Sequence, residues 1–172
     1  MKALFIGRFQ PFHIGHLKVL TGLSDKYDFI IGIGSAQYGN TYDNPFMLDE
    51  RIDMIKQSLR DTNVRYTIYP IPDIHDYSRW VDHVCSIVPP FDIVLSNNPV
   101  TRKLFENKGF KVEDIPRYDR RLYSGREIRR RISKNEEWEN LVPIPVVKII
   151  QQIDGIKRIQ NLSKNLYSSG NQ

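Results

Sequence analysis

Cysteine is nearly missing from this sequence: Cys85 is the only one in 172 residues. A single thiol cannot close a disulfide within the chain and cannot build a thiolate zinc site. It fits a reducing compartment, so a cytoplasmic location is expected. Long apolar runs are missing as well. None approaches the ~20 residues that a membrane-spanning helix requires, so no membrane partner is expected. The apolar residues 3–6 read as a strand at the very start, which leaves no expected room for a signal peptide. There is no internal repeat, no low-complexity segment and no linker that would divide domains. With 40% hydrophobic residues, the chain suits one domain with an ordinary core. Acidic residues are in deficit: 20 Asp and Glu face 25 Lys and Arg, a net charge of +5. That suits anionic partners without choosing among nucleotides, nucleic acids and membrane surfaces.

What is present is an alternation of two patterns. Residues 3–6, 29–33, 66–69, 93–95 and 110–112 are short, β-branched or aromatic, and mostly unbroken by polar residues. They read as strands buried on both faces. Residues 14–23, 48–60, 77–87 and 100–107 read as helices, with apolar steps of three and four such as Ile52, Ile55 and Leu59. Alternation of this kind predicts an α/β fold, a Rossmann-like parallel sheet flanked by helices on both faces. A helical C-terminal part is expected from about residue 124, with one helix over residues 146–153 opened by Pro145. Residues 163–172 are polar and are expected to fray.

The most informative stretch runs from Gly7 to His16, where the first strand hands over to the first helix. In a parallel sheet this is the mouth where ligands bind. A helix start there offers unpaired backbone N–H groups to an anion. Arg8, His13 and His16 add side-chain donors, and Gly15, having no Cβ, lets a phosphate come close. These residues read as a phosphate-handling site. A metal would need more ligands than two histidines, and no motif spacing links them to His75, Asp76 or His83; no protein-held metal is expected. Gly32, Ile33 and Gly34 lack the third glycine of a dinucleotide fingerprint, because Gln37 stands there. The milder reading is a tight turn with Ser35 facing a nucleotide. His75, His83 and Cys85 are taken as structural, and Asp49, Glu50 and Asp53 as the polar first turn of a helix.

Further on, seven arginines fall between Arg117 and Arg131. Ser124 is a good N-cap, and Glu127 three residues later completes the sequence signature of a capping box.

The string Gly7-Arg8-Phe9-Gln10-Pro11-Phe12-His13-Ile14-Gly15-His16 resembles the HxGH nucleotidyltransferases, and in particular the archaeal-type nicotinamide-nucleotide adenylyltransferases. Gly34-Ser35-Ala36-Gln37 and the segment from Tyr123 to Arg131 match the same family in the same order, so the resemblance covers residues 2–159. It implies adenylyl transfer from ATP to nicotinamide mononucleotide, giving NAD and pyrophosphate, with Mg2+ arriving on ATP. It implies His16, His13 and Arg8 as catalytic residues. ATP would be held by Gly7, Arg8, Phe9, His13, Gly15, His16, Ser124 and Arg129. Nicotinamide mononucleotide would be held by Ser35, Asp73, Ile74, Trp80 and Asn98. It also implies a homo-oligomer, with a hexamer among the expected states. Two departures stand out: Gly125 occupies a position where the family often has a hydroxyl, and no arginine stands near Asp43. Transfer to phosphopantetheine or FMN is the alternative chemistry. An RNA- or nucleotide-binding module without turnover is the alternative class, although only Tyr118 and Tyr123 interleave with the arginines and no RNA motif is present. No nucleic-acid partner is expected.

Overall fold

The structure is a computed structural model and describes residues 1–168. In chain order the elements are β1 (Lys2–Gly7), α1 (Ile14–Gly22), β2 (Asp28–Gly34), α2 (Leu48–Leu59), β3 (Tyr66–Ile71), α3 (Tyr77–Ile87) and β4 (Ile93–Leu95). They continue with α4 (Pro99–Asn107), β5 (Val112–Glu113), α5 (Gly125–Ser133), α6 (Ile144–Gln152) and α7 (Gly155–Ser168). The chain divides into two compact units, each assembled from three separate stretches, so no single linker separates them.

The first unit holds residues 1–8, 19–36 and 63–117. Its five strands form one parallel sheet in the order β3-β2-β1-β4-β5. Leu4 lies opposite Ile30 on one side and Val94 on the other. After β3 the chain crosses β1 to place β4, so the connection reverses between β1 and β4. Such a switch point opens a crevice outside the carboxyl ends of the strands. The strands form because both of their faces are apolar. Leu4, Ile30, Ile71 and Val94 pack with Val81 and Val84 of α3, with Val88 just past its end, and with Phe105 of α4. The alternate residues Phe5, Phe29, Ile31 and Ile33 are buried on the other face.

One strand differs from expectation. The last one forms at Val112–Glu113 rather than over residues 110–112. Gly109 turns the backbone at φ +84°, and Phe110 leaves the ladder to pack its ring against Phe91 and Phe105.

The second unit comprises, among the described residues, 9–18, 37–62 and 118–168. Here α2 packs on α6, and both α5 and α6 pack on α7. Phe46, Met54, Ile55, Ile128, Ile132, Val146, Ile150 and Ile159 are buried. Glu50 does more than open a helix. Both of its oxygens accept from Arg158 of α7, at 2.6 and 2.9 Å, and it also accepts from the Met47 backbone N–H at 2.8 Å. The expected helix near 146–153 is α6, with Pro145 in its first turn. A separate helix, α7, follows it and was not expected. Asp154, at φ +56°, and Gly155 turn the chain into a new helix anchored by Ile159. That helix runs six residues into the segment expected to fray, and residues 169–172 lie outside the described residues. Among the described residues no helix is long and apolar enough to cross a membrane.

Candidate active site

The histidine loop belongs to the second unit. Since α1 begins at Ile14, His13 sits in the cap position and His16 in the third helical position. The His13 backbone N–H donates to His16 Nδ1 at 3.2 Å, and the His16 backbone N–H donates to His13 Nδ1 at 3.4 Å. This is the reciprocal pattern of a capping box, made from two imidazoles in place of a hydroxyl and a carboxylate. The rings stack at 3.6 Å between centroids, with Phe12 stacked on His16 at 5.4 Å and Phe9 edge-on at 4.7 Å.

This geometry fixes the chemistry. An Nδ1 that accepts a hydrogen bond carries no proton, so each neutral ring holds its proton on Nε2. Burial pushes the His13 pKa down from 6.5 to about 3. His16 is pushed well below its ordinary value, first by burial and then by repulsion from a charged His13. At neutral pH the loop therefore offers two Nε2–H donors and a helix start, with no formal charge of its own. Gly15 serves this packing directly. A Cβ there would fall 3.0 Å from His13 Nδ1 and Cε1 and 3.1 Å from Tyr123 Cβ.

The loop is pinned from two sides within the unit. The buried Gln10 amide takes both backbone groups of Phe46, donating to its carbonyl at 2.9 Å and accepting from its N–H at 2.8 Å. Arg129, only 3% exposed, donates from Nη1 to the Gln10 carbonyl at 2.8 Å. The guanidinium that the resemblance assigns to ATP thus also holds the loop in place. Gly125 makes room for that contact, because a Cβ there would lie 2.7 Å from Arg129 Nη1 and 2.9 Å from Gln10 O. Gln10 was not among the expected site residues; its position inside the matched string was the available signal.

Ser124 caps α5 and accepts from the Glu127 N–H at 3.1 Å. Only this half of the expected capping box forms. Arg130 and Arg131 draw the Glu127 carboxylate away with contacts of 2.9 Å each and lower its pKa to about 2.

The first unit contains a cavity of about 610 Å³ at the carboxyl ends of its strands, within the ~300–1,000 Å³ usual for small-ligand sites. Of the expected residues it brings together Arg8, Asp73, Ile74, Trp80 and Asn98. Gly7 ends β1 just before Arg8. Ser35 is buried, and its hydroxyl donates to Asp73 Oδ2 at 2.7 Å, so it positions a wall residue. Trp80 packs edge-on against Phe105 at 5.6 Å while also lining the cavity, which makes it part core and part site. Asn98 caps α4, its Oδ1 accepting from the Val100 and Thr101 N–H groups, which leaves only Nδ2 for a ligand. His75, Asp76, Tyr77, Val100, Thr101 and Leu104 complete the lining and were not expected there. Their signal was position alone, at the starts of two helices that follow strands. His83 is structural, within 2.8 Å of the Pro72 carbonyl, and Cys85 is exposed. Among the described residues no group of three or more His, Cys, Asp or Glu side chains is placed to hold a metal ion.

A parallel sheet with this strand order, a switch-point cavity and a histidine-capped helix start define a nucleotide-binding α/β protein. Comparison with known proteins narrows the class. The cytidylyltransferase-like family profile matches residues 4–131. A nicotinamide-nucleotide adenylyltransferase of Methanococcus aeolicus is 48% identical over 168 residues, covering 97% of this chain and 98% of that protein. The protein of the same name from Methanolobus tindarius is 44% identical over 165 residues, covering 95% of each. Among solved structures, a bifunctional NMN adenylyltransferase/ADP ribose pyrophosphatase from Francisella tularensis, complexed with AMP and a manganese ion, superposes with a TM-score of 0.75. It is 21% identical and supports the fold; the alignment covers 96% of this chain, which spans 53% of that longer protein. The chain belongs to the cytidylyltransferase-like family and, within it, to the nicotinamide-nucleotide adenylyltransferases.

Proposed function

We propose that this protein transfers the adenylyl group of ATP to nicotinamide mononucleotide, forming NAD and releasing pyrophosphate. The observation that carries the reading is the reciprocal cap between His13 and His16, which presents two neutral Nε2–H donors at a helix start. The phosphate of nicotinamide mononucleotide is already an anion, so its attack on the α-phosphorus needs no general base. The new P–O bond forms as the bond to pyrophosphate breaks, and the leaving group carries the electron pair away. Catalysis of this kind rests on positioning and on stabilising charge. His16 is assigned to the α-phosphate, His13 to the neighbouring phosphates, and Ser124 and Arg129 to the outer ones. Gly7, Phe9 and Gly15 shape the ATP loop. The substrate would be ATP carrying its Mg2+, and that ion would need few protein ligands. Arg8, assigned with His13 to the neighbouring phosphates, also lines the acceptor cavity with Asp73, Ile74, Trp80 and Asn98, and Ser35 steadies Asp73. A pyridinium ring suits an indole face and a carboxylate. We further propose a cytoplasmic homo-oligomer, with a hexamer as the state to test by light scattering.

The test is turnover of ATP with nicotinamide mononucleotide, phosphopantetheine and FMN as separate acceptors, each product identified by mass spectrometry. NAD is expected from the first, with little product from the others. Equal turnover with another acceptor would overturn the choice of substrate, and no turnover with any would favour a binding module.

A further inference from the structure

Tyr77 stands out among the cavity residues. It is the first residue of α3 and is 72% exposed. Among the described residues its hydroxyl has no hydrogen-bond partner and its ring meets no other ring. An aromatic side chain left this open, on the wall of a cavity, has its apolar face available to a ligand.

Its placement relative to Trp80 says which ligand surface it suits. The two are three residues apart on one helix, and both line the cavity. Residues at that spacing have Cβ atoms about 5–6 Å apart. A flat ring held between two others needs about 7 Å, twice a contact distance of roughly 3.5 Å. A slight splay of the two side chains supplies the difference. Trp80 is backed by Phe105, so it forms a fixed wall, whereas Tyr77 is 72% exposed and meets no ring among the described residues, which leaves it room to turn. The start of α3 is firm beneath it. Asp76 accepts from the Ser78 N–H at 2.9 Å and from Arg79 Nε at 2.7 Å.

We infer that Tyr77 is a specificity-determining residue, the second wall of the acceptor subsite, which closes over a flat cationic ring already resting on Trp80. This rests on the acceptor reading of the cavity. A second aromatic face adds stacking and a second negative quadrupole, and both favour a planar cation over a bulky or uncharged acceptor.

The experiment is equilibrium titration of the full chain with nicotinamide mononucleotide, together with steady-state kinetics, on wild type, Tyr77→Ala and Tyr77→Phe. Loss of the ring in Tyr77→Ala should weaken binding and raise KM for the acceptor by about 2- to 30-fold, the span of one cation–π contact. Turnover at saturation and KM for ATP should hold. Tyr77→Phe should restore the affinity, because the ring is kept and only the unbonded hydroxyl is lost. A Tyr77→Ala protein that binds the acceptor as wild type does would overturn the inference while leaving the acceptor cavity intact. A Tyr77→Phe protein as weak as Tyr77→Ala would overturn it too, by assigning the effect to the hydroxyl. Failure of the wild type to bind the mononucleotide at all would overturn both the inference and the acceptor reading.

Discussion

The two units solve opposite problems. The histidine loop of the second is closely packed, and its imidazoles are held neutral by burial and fixed in tautomer by backbone N–H groups. The cavity of the first is open and mixed in charge, with Arg8, Asp73 and two aromatic side chains on its walls. A transferring phosphoryl group is best served by donors that need not reorganise as charge moves. A flat cationic ring is best served by faces that can close on it. The contrast teaches that a rigid, uncharged donor set and an adaptable aromatic set can share one short chain because different elements carry them.

The largest effect should come from breaking the rigid side. His16→Ala removes one Nε2–H donor and one arm of the reciprocal cap. Turnover should fall on the order of 100-fold or more, as it does when a preorganised donor to developing charge is lost. ATP affinity, measured separately by titration, should change far less. A near-normal kcat would remove His16 from the chemistry.

Next come the supports of that loop. Gly125→Ala would drive a methyl group into Arg129 Nη1 and the Gln10 carbonyl. It should cost about 1–3 kcal/mol of stability, as overpacking does, and should raise KM for ATP. Arg129→Ala should raise that KM too, through the same loop. Arg131→Ala should matter less, since Arg131 is occupied by Glu127 and the Glu137 carbonyl. Similar kinetics for Arg129→Ala and Arg131→Ala would reduce the segment to a diffuse basic surface. Thermal melts and ATP titrations separate these outcomes.

On the adaptable side, Trp80→Ala should raise KM for nicotinamide mononucleotide by about 3- to 30-fold, with a smaller change for ATP. The reduced mononucleotide, whose ring is uncharged, should lose less on mutation, because only stacking remains to be lost. Equal losses for the two acceptors would delete the charge argument.

A pH dependence probes the rigid side once more, through stability in place of turnover. Above pH 6.5 the His13 ring is neutral in both the folded and the unfolded chain. Below it, the unfolded chain binds a proton that the folded chain refuses until about pH 3. Stability should therefore fall as pH drops from 6.5 towards 3. His13→Asn keeps a cap acceptor, so its melting temperature should fall less steeply over pH 7 to 5. Parallel slopes would mean that the His13 ring is not held neutral.

Much of this was legible because it is local. The strand-helix alternation, the HxGH string and the Ser124 cap are each written in a few adjacent residues. What escaped depends on residues far apart in sequence. Nothing near Gln10 announces that Phe46 will take both ends of its amide, and nothing near Gly125 announces the Gln10 carbonyl. Glu127 carries the capping-box spacing, but two arginines on its own helix outcompete the backbone N–H for it. Helix α7 was hidden by Asp154 and Gly155, whose local meaning is a stop and whose tertiary meaning is a corner. Tyr77 and His75 carry no motif; the β3–α3 turn alone makes them cavity walls.

The central claim is that His13 and His16 act as neutral Nε2–H donors to ATP phosphates. Nitrogen NMR of the histidine side chains in the full-length protein at neutral pH reads this directly. Both rings should give a protonated Nε2 and an unprotonated Nδ1 in the free protein. On addition of ATP with Mg2+, the Nε2 signals should move while Nδ1 stays unprotonated. Protonation at Nδ1 in the free protein, or Nε2 signals that ignore ATP, would contradict the account.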